Sequence, residues 1–209
     1  MAIAKKTGVP KTVIETAIAR GQGRSTEGAV LESLTFDAIL PPSVALLIEV
    51  ETESRPRVLQ ELNMVVKKAK GAASPSKFFF TRVGRVVFEP SSDEIGADQI
   101  MDDAIEAGAE DLETDQDSNI VVWTQPNQTT QICQDVGGKF GLKVLSSDIV
   151  WTANEDTRSS IDASVELERF IELLGALRAN PDVQAVYSNV TRGNMTDEEW
   201  AQIEESLDV

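Results

Sequence analysis

The order of apolar runs and amphipathic helical patterns constrains the fold of this chain more than any other feature. Strands are predicted where β-branched and apolar residues cluster, and helices where apolar residues recur every three or four positions. A short helix (10–20) and a weakly alternating strand (34–39) are predicted first. They are followed by a run that comprises a strand (43–51), a helix (57–70, closed by Gly71) and two short strands joined by a turn at Val83-Gly84 (77–81 and 85–88). This run has the order β-α-β-β.

A second run of patterns follows in the order α-β-β-α-β, and a helix and a strand come after it. The predicted elements are a helix (96–107), two strands (112–114 and 119–124), a helix (127–140), a strand (142–151), a helix (161–179) and a strand (183–187). The alternation of helices and strands predicts an α+β protein with more than one lobe.

Joining the first run to the last helix and strand gives β-α-β-β-α-β, the ferredoxin-like plan. The predicted domains are a remnant of a basic helical domain (1–28), a ferredoxin-like lobe (29–89 plus 157–195), an inserted acidic α/β lobe (90–156) and an acidic tail (196–209). Two lobes in simple series are the alternative. Insertion is preferred because a β-α-β-β lobe alone leaves one face of its sheet uncovered.

The charge of the chain is unevenly distributed. The formal net charge of −16 alone argues against a nucleic-acid partner, because two polyanions repel each other. Residues 1–88, however, hold 13 of the 19 basic residues and only 8 acidic ones, while residues 89–209 hold 6 basic and 27 acidic ones. This asymmetry predicts a basic surface that faces a polyanion and an acidic body.

The candidate nucleic-acid-binding residues are lysines and arginines of two basic clusters. They are Lys5, Lys6, Lys11, Arg20, Arg24, Arg55, Arg57, Lys67, Lys68, Lys70 and Arg82. Such side chains neutralise phosphates and release counterions, which gives binding with little sequence preference. Lys67, Lys68 and Lys70 have an alternative role, because cations at the end of a helix complement its dipole and its last carbonyls.

Composition argues against most catalytic chemistry. The chain has no histidine, which removes Ser-His-Asp and Cys-His systems and histidine-ligated metals. Its single cysteine, Cys133, cannot form an internal disulfide. We therefore predict a protein that is not an enzyme and has no catalytic residue, metal or cofactor. The longest apolar runs have about five residues against the ~20 that span a bilayer, so no membrane partner is predicted.

Three segments in order resemble the YebC family of probable transcriptional and translational regulators. Residues 9–23 (VPKTVIETAIARGQG), 108–113 (GAEDLE) and 182–189 (DVQAVYSN) are similar to that family's "MPKxxIExAIxxGxG", "GAEDVE" and "DVQxVYxN" stretches. The residues of these segments are most similar to the mitochondrial branch of the family, the translational activators of cytochrome c oxidase. The family usually has a basic segment and helices ahead of the first motif, so the resemblance implies that this chain is N-terminally truncated and lacks any mitochondrial presequence.

The resemblance implies a non-enzymatic translational activator that binds ribosomal RNA, mRNA or the ribosome. Its expected location is the mitochondrion, where it would support synthesis of a cytochrome c oxidase subunit. A DNA-binding transcriptional regulator is the alternative that the same family carries. A lobe that binds a small ligand, or an enzyme, is a third class, which the absence of histidine and of a nucleophile motif disfavours. The oligomeric state is left open.

Overall fold

The computed structural model describes residues 10–12, 15, 18, 30–89, 95–162 and 165–208. The chain divides into two compact units. The first unit runs to Phe79 and resumes over Glu155–Asp208, and the second comprises Phe80–Asn154. Within the predicted N-terminal helix, Lys11, Thr12, Glu15 and Ile18 are helical.

The first unit is built on a four-stranded antiparallel sheet. Its strands lie in the order β3-β1-β2-β9, and their bounds are β1 (Glu32–Leu40), β2 (Val44–Thr52), β3 (Ala72–Ala73) and β9 (Val183–Ser188). The predicted strand over 43–51 is thus confirmed as β2. In the register of the sheet Ile48 lies opposite Phe36 on one side and Val186 on the other. These alternating residues are buried, as the two-residue period of a strand requires.

Three helices complete the core of the first unit, and they are α1 (Arg55–Lys68), α5 (Val165–Arg178) and α6 (Asp197–Glu205). The periodicity of the sequence predicts α1 and α5, whereas α6 lies in the segment predicted as an acidic tail. Val58, Leu62 and Val66 recur every four residues on α1 and are fully buried against the sheet. Leu167, Phe170 and Leu174 recur at spacings of three and four residues on α5 and are buried in the same core.

The end of α1 differs from the prediction in one respect. Gly71 does not supply the left-handed turn after the helix; Lys70 does, with φ of 66°. Gly71 is required by packing instead, because a Cβ there would lie 2.9 Å from Val66 Cγ1 and 3.0 Å from the Ile39 carbonyl oxygen. A lysine therefore occupies the left-handed position after the helix, where glycine is usual.

The predicted acidic tail is part of the first unit. Thr196 caps α6 by accepting a hydrogen bond from the Glu199 amide, and Glu199 accepts one from the Thr196 amide. Ile203 is fully buried in the core. Two further short strands that the sequence did not reveal, β8 (Ser159–Ile161) and β10 (Val190–Arg192), pair in parallel.

The second unit has a four-stranded antiparallel sheet with the strand order β5-β6-β4-β7. The strands are β4 (Phe80–Phe88), β5 (Ala109–Thr114), β6 (Ile120–Thr124) and β7 (Val144–Ala153). Its helical elements are α2 (Ala97–Glu106), α3 (Thr129–Ile132), a π-helical turn (Cys133–Gly137) and α4 (Gly138–Phe140). Ile100, Ile132 and Val136 from these helices pack with Val86, Phe88 and Val122 from the sheet.

The α+β fold class is confirmed, but the ferredoxin-like plan lies in the other unit. The elements of the second unit run β-α-β-β-α-β, whereas the main elements of the first run β-β-α-β-α-β. The predicted strand over 85–88 belongs to the second unit, and no turn interrupts it at Val83-Gly84. A Cβ at Gly84 would collide with Thr129 Cγ2, so this glycine permits close packing of a helix on a continuous strand.

Candidate nucleic-acid interface

The basic residues nearest the N-terminus are only partly described. Lys5, Lys6, Arg20 and Arg24 lie outside the described residues. Lys11 is described, and its Nζ lies 3.3 Å from a carboxylate oxygen of Glu15, one helical turn away. Both side chains are mostly exposed, and such a pair contributes only a few tenths of a kcal/mol, so it leaves Lys11 accessible to a phosphate.

The two arginines at the start of α1 have different surroundings. Arg55 is exposed and forms no ion pair with a carboxylate in the part of the chain that the structure describes. Arg57 donates to Asp182 over 2.6 Å and to Glu61 over 3.2 Å. These hydrogen bonds, the one to Glu61 first, hold the pKa of the Arg57 guanidinium above its ordinary value.

The carboxylate that Arg57 contacts is itself part of the core structure. Asp182 is buried, and it also accepts a hydrogen bond of 2.8 Å from the hydroxyl of Thr52. A buried carboxylate is stable only when its charge is compensated, and Arg57 supplies that compensation. The predicted phosphate contact at Arg57 is therefore not favoured, because the structure gives this side chain a structural role.

The lysines at the other end of α1 remain exposed. Lys67 and Lys70 form no ion pair with a described carboxylate. Lys68 Nζ lies 3.9 Å from Glu172 on α5, but both side chains are more than two-thirds exposed. A pair of this kind contributes little, so all three lysines present their charge to solvent. The same lysines complement the dipole of α1, and the two roles are compatible.

Arg169 on α5 lies beside these lysines, and sequence reasoning missed it. One cleft is lined by Lys70, Arg169, Glu166 and apolar residues of the sheet and helices. A second cleft is lined by Lys68, Arg169, Glu172 and apolar residues of α1 and α5. The two clefts share Ala69 and Arg169, and each has a volume of about 200 Å³. We call the two clefts together the basic groove, whose cationic rim is Lys68, Lys70 and Arg169.

The signal for Arg169 in the sequence is weak. It is one polar position of an amphipathic helix, and Glu166 and Glu172 lie on the neighbouring turns. This pattern predicts a solvated acidic face. Only the packing of α5 beside α1 brings its guanidinium to the lysines of α1. Arg169 is partly buried and makes no ion pair with a carboxylate among the residues described.

The cations of the second unit lie next to carboxylates or aromatic rings. Lys139 and Lys143 form ion pairs with Asp103 and Glu89. The predicted site residue Arg82 lies in this unit, and its guanidinium carbon is 5.8 Å from the centroid of the Trp151 ring. Arg85 lies at the same distance from the ring of Trp123. Such cation–π contacts hold the arginine side chains on their own sheet.

Comparison with known proteins identifies one matching family model and several similar proteins. Residues 31–190 match the family model described as the TACO1/YebC second and third domain. A probable transcriptional regulatory protein of Francisella tularensis subsp. novicida is 32% identical over 206 residues, which cover 97% of this chain and 79% of the relative. A protein of the same description from Lactobacillus gasseri is 30% identical over 188 residues, 88% of this chain and 74% of the relative.

A solved structure also resembles the chain. The crystal structure of a conserved hypothetical protein from Aquifex aeolicus superposes with a TM-score of 0.69 at 26% sequence identity. The match covers 93% of this chain and 78% of the other. In the described part of the chain, no helix is both long enough and apolar enough to cross a membrane.

Proposed function

The chain belongs to the TACO1/YebC family, and we propose that it is a non-enzymatic regulator of gene expression that binds nucleic acid through the basic groove. One observation carries the proposal. In a chain with a net charge of −16, Lys70 and Arg169 meet at one cleft without a carboxylate partner among the described residues. The lysines of the second unit do pair with carboxylates.

Duplex DNA is the first candidate partner. The relatives of this chain bear the description "probable transcriptional regulatory protein", and a transcriptional regulator acts on DNA. Lysine and arginine side chains on the rim of a groove suit phosphate contacts, which position a protein on a duplex without reading its sequence. The basic residues at positions 5, 6, 11, 20 and 24 are predicted to add further phosphate contacts.

RNA is the second candidate, and the shape of the groove favours it. Each cleft is a small depression of about 200 Å³ rather than a broad surface. Sequence-specific recognition of RNA targets unpaired nucleotides in loops and ends, which small depressions accommodate. With RNA as the partner, the protein would be a translational activator on mRNA or the ribosome. The resemblance to the mitochondrial branch would then place it in mitochondria, supporting synthesis of a cytochrome c oxidase subunit.

Binding as a function of salt tests the proposal and separates its two forms. We would measure the affinity of the whole chain for a DNA duplex of about 20 base pairs and for an RNA stem-loop with the same number of phosphates. Four phosphate contacts from Lys67, Lys68, Lys70 and Arg169 contribute a slope of about −3 to −4 to the fall of log K with log[salt], and contacts from the N-terminal basic residues make the slope steeper.

The outcomes are distinct. Tighter binding to the duplex at every salt concentration would support the transcriptional form, and tighter binding to the stem-loop would support the translational form. Affinity for neither probe at low salt, or affinity that does not change with salt, would contradict the proposal, because contacts to phosphate are necessarily sensitive to salt.

A further inference from the structure

The two four-stranded sheets have four edges, and three of these edges are protected against pairing with another strand. At one edge of the first sheet, β3 has only two residues. At the other, Asp208 occupies the edge of β9: its amide donates to the Val186 carbonyl oxygen over 2.9 Å, and its carboxylate accepts from the Val186 amide over 2.7 Å. In the second sheet, β5 has three exposed carboxylates and a register shift after Ala109. Short strands, covered edges, charges and bulges are the usual protection against edge-to-edge association.

The fourth edge is β7, and it is much less protected. This strand has ten residues, and β4 is its only strand partner in the part of the chain that the structure describes. It contains no lysine, arginine or proline, and Asp148 is its one charged residue. Val144, Leu145 and Ile149 are 38%, 46% and 40% exposed. The register shift opposite Leu145 lies at the start of the strand, so the residues after it remain regular. A long edge with little charge is a template for another strand.

The exposed part of β7 is complementary to itself when a second copy runs in the opposite direction. Residues 144–150 have the sequence VLSSDIV, with Ser147 at the centre. An antiparallel copy centred on this residue forms three kinds of cross-strand pair, each of them twice: Val144 with Val150, Leu145 with Ile149, and Ser146 with Asp148. Apolar side chains therefore meet apolar side chains, and the carboxylate meets a hydroxyl that donates to it.

The one charge of the strand is compatible with this pairing. In the register centred on Ser147, the two copies of Asp148 are diagonal neighbours about 7–8 Å apart and do not face each other. Arg85 lies opposite Asp148 on β4, so each carboxylate has a cation on the adjacent strand of its own sheet.

We propose that β7 pairs with β7 of a second copy of this chain about a two-fold axis at Ser147, which joins the two second-unit sheets into one antiparallel sheet. The observations favour a second copy because the strand matches itself. A two-fold contact also uses both unpaired edges at once and leaves none for further growth. The inference is independent of nucleic-acid binding and concerns the oligomeric state alone.

Sedimentation equilibrium of the whole chain tests the pairing at concentrations from about 1 to 200 μM. We expect the molar mass to rise from that of one chain towards that of two. Ile149→Lys should weaken this association by about tenfold or more, since a lysine on an edge strand disfavours pairing. Ile105→Lys is the matched control, because Ile105 is 59% exposed on α2 of the same unit and the change in charge is the same. This control should associate like the wild type.

Cysteine cross-linking tests the register in a chain whose own cysteine is removed by Cys133→Ala. Ser147→Cys should form an intermolecular disulfide on oxidation, because residues opposite each other have Cα atoms about 4.5–5.5 Å apart, within the range of a disulfide. Ser146→Cys should not, because its two copies are diagonal neighbours about 7–8 Å apart. Circular dichroism confirms that each variant is folded.

The results that would overturn the inference are specific. A chain that stays monomeric over the whole concentration range would contradict the pairing, and a molar mass that grows beyond two chains would contradict the closed two-fold contact. Unchanged association of the Ile149→Lys protein, or an equal loss in the Ile105→Lys control, would show that β7 is not the interface. Equal cross-linking at positions 146 and 147 would contradict the register.

Discussion

The two units of this protein are built alike, and the cations of one cleft in the first unit differ from those of the second unit in their partners. Each is a four-stranded antiparallel sheet with helices that contribute to one buried core. In the second unit, Lys139 and Lys143 pair with carboxylates and Arg82 and Arg85 lie by tryptophan rings. In the first unit, Lys70 and Arg169 share a cleft without such partners among the described residues. The comparison teaches that the partners of a cation, more than its number in a segment, decide whether it is available to a ligand.

Truncation in the two cores is expected to have the largest effect, and it should affect both units alike. Leu62 in the first unit and Ile132 in the second are both fully buried. Leu62→Ala and Ile132→Ala should each lower the free energy of unfolding by about 2–5 kcal/mol, because each leaves a cavity. Urea denaturation followed by circular dichroism measures this loss.

An exposed residue on the same helix provides the control. Met64 on α1 is 58% exposed, and Met64→Ala should change the free energy of unfolding by less than about 0.5 kcal/mol. A loss below about 1 kcal/mol for either core variant would contradict the placement of that residue in a closely packed core.

The helices α1 and α5 could be predicted from the sequence, whereas the short strands β8 and β10 and the assignment of the long strand β4 could not. Apolar residues repeat with the helical period on α1 and α5, and a pattern of that length has few competing explanations. The segment 77–88 contains a glycine in its middle, and glycine predicts a turn as readily as a close packing contact. Only the approach of Thr129 to Gly84 shows that the strand is continuous and belongs to the second unit.

A smaller effect of opposite sign is expected at the two left-handed residues. Lys70→Gly in the first unit and Ser118→Gly in the second should each raise the free energy of unfolding by about 1 kcal/mol, because glycine adopts this backbone conformation without a steric penalty. Thermal unfolding of both variants measures the gain. Of the two, only the Lys70 variant should lose affinity for nucleic acid. A decrease of stability in either protein would show that its side chain contributes more than its backbone strain costs.

The roles of the cations depend on contacts between residues far apart in the sequence. Arg57 is predicted as a phosphate contact by its charge, and it contacts Asp182, which lies 125 positions away. Arg169 is missed because its own helix is acidic, and it joins Lys68 and Lys70 only in the folded first unit. A local pattern of charge contains no information on these partners, so the sequence could indicate the basic end of α1 but not the groove.

The smallest effects concern the stability of the fold at low pH. One carboxylate in each unit has a lowered pKa and is expected to contribute to it. Hydrogen bonding by Asn119 holds the pKa of Asp115 below its ordinary value of 3.8, and hydrogen bonds from Thr196 do the same to Glu199, whose ordinary value is 4.5. A lowered pKa stabilises the fold above the ordinary value, and this stabilisation is lost as the pH falls through the lowered one.

Asp115→Asn and Glu199→Gln should therefore flatten the fall of stability with decreasing pH below about pH 5, since the neutral residues no longer titrate. Urea midpoints measured across the acid range provide the test. Both carboxylates are partly exposed, so solvent screening should keep the change small in each unit. An acid limb of the same slope in the variant and in the wild type would show that the group does not contribute.

The most direct test of the account compares two double variants that lose the same charge from different units. Lys70→Gln with Arg169→Gln removes two cations from the groove, and Lys139→Gln with Lys143→Gln removes two paired cations from the second unit. At about 100 mM salt, the groove variant should bind nucleic acid about tenfold or more weakly, with a salt slope reduced by about 1.4–1.8, and the control should remain within about threefold of the wild type. Equal losses in the two proteins would mean that net charge, and not the groove, governs binding, and would contradict the account.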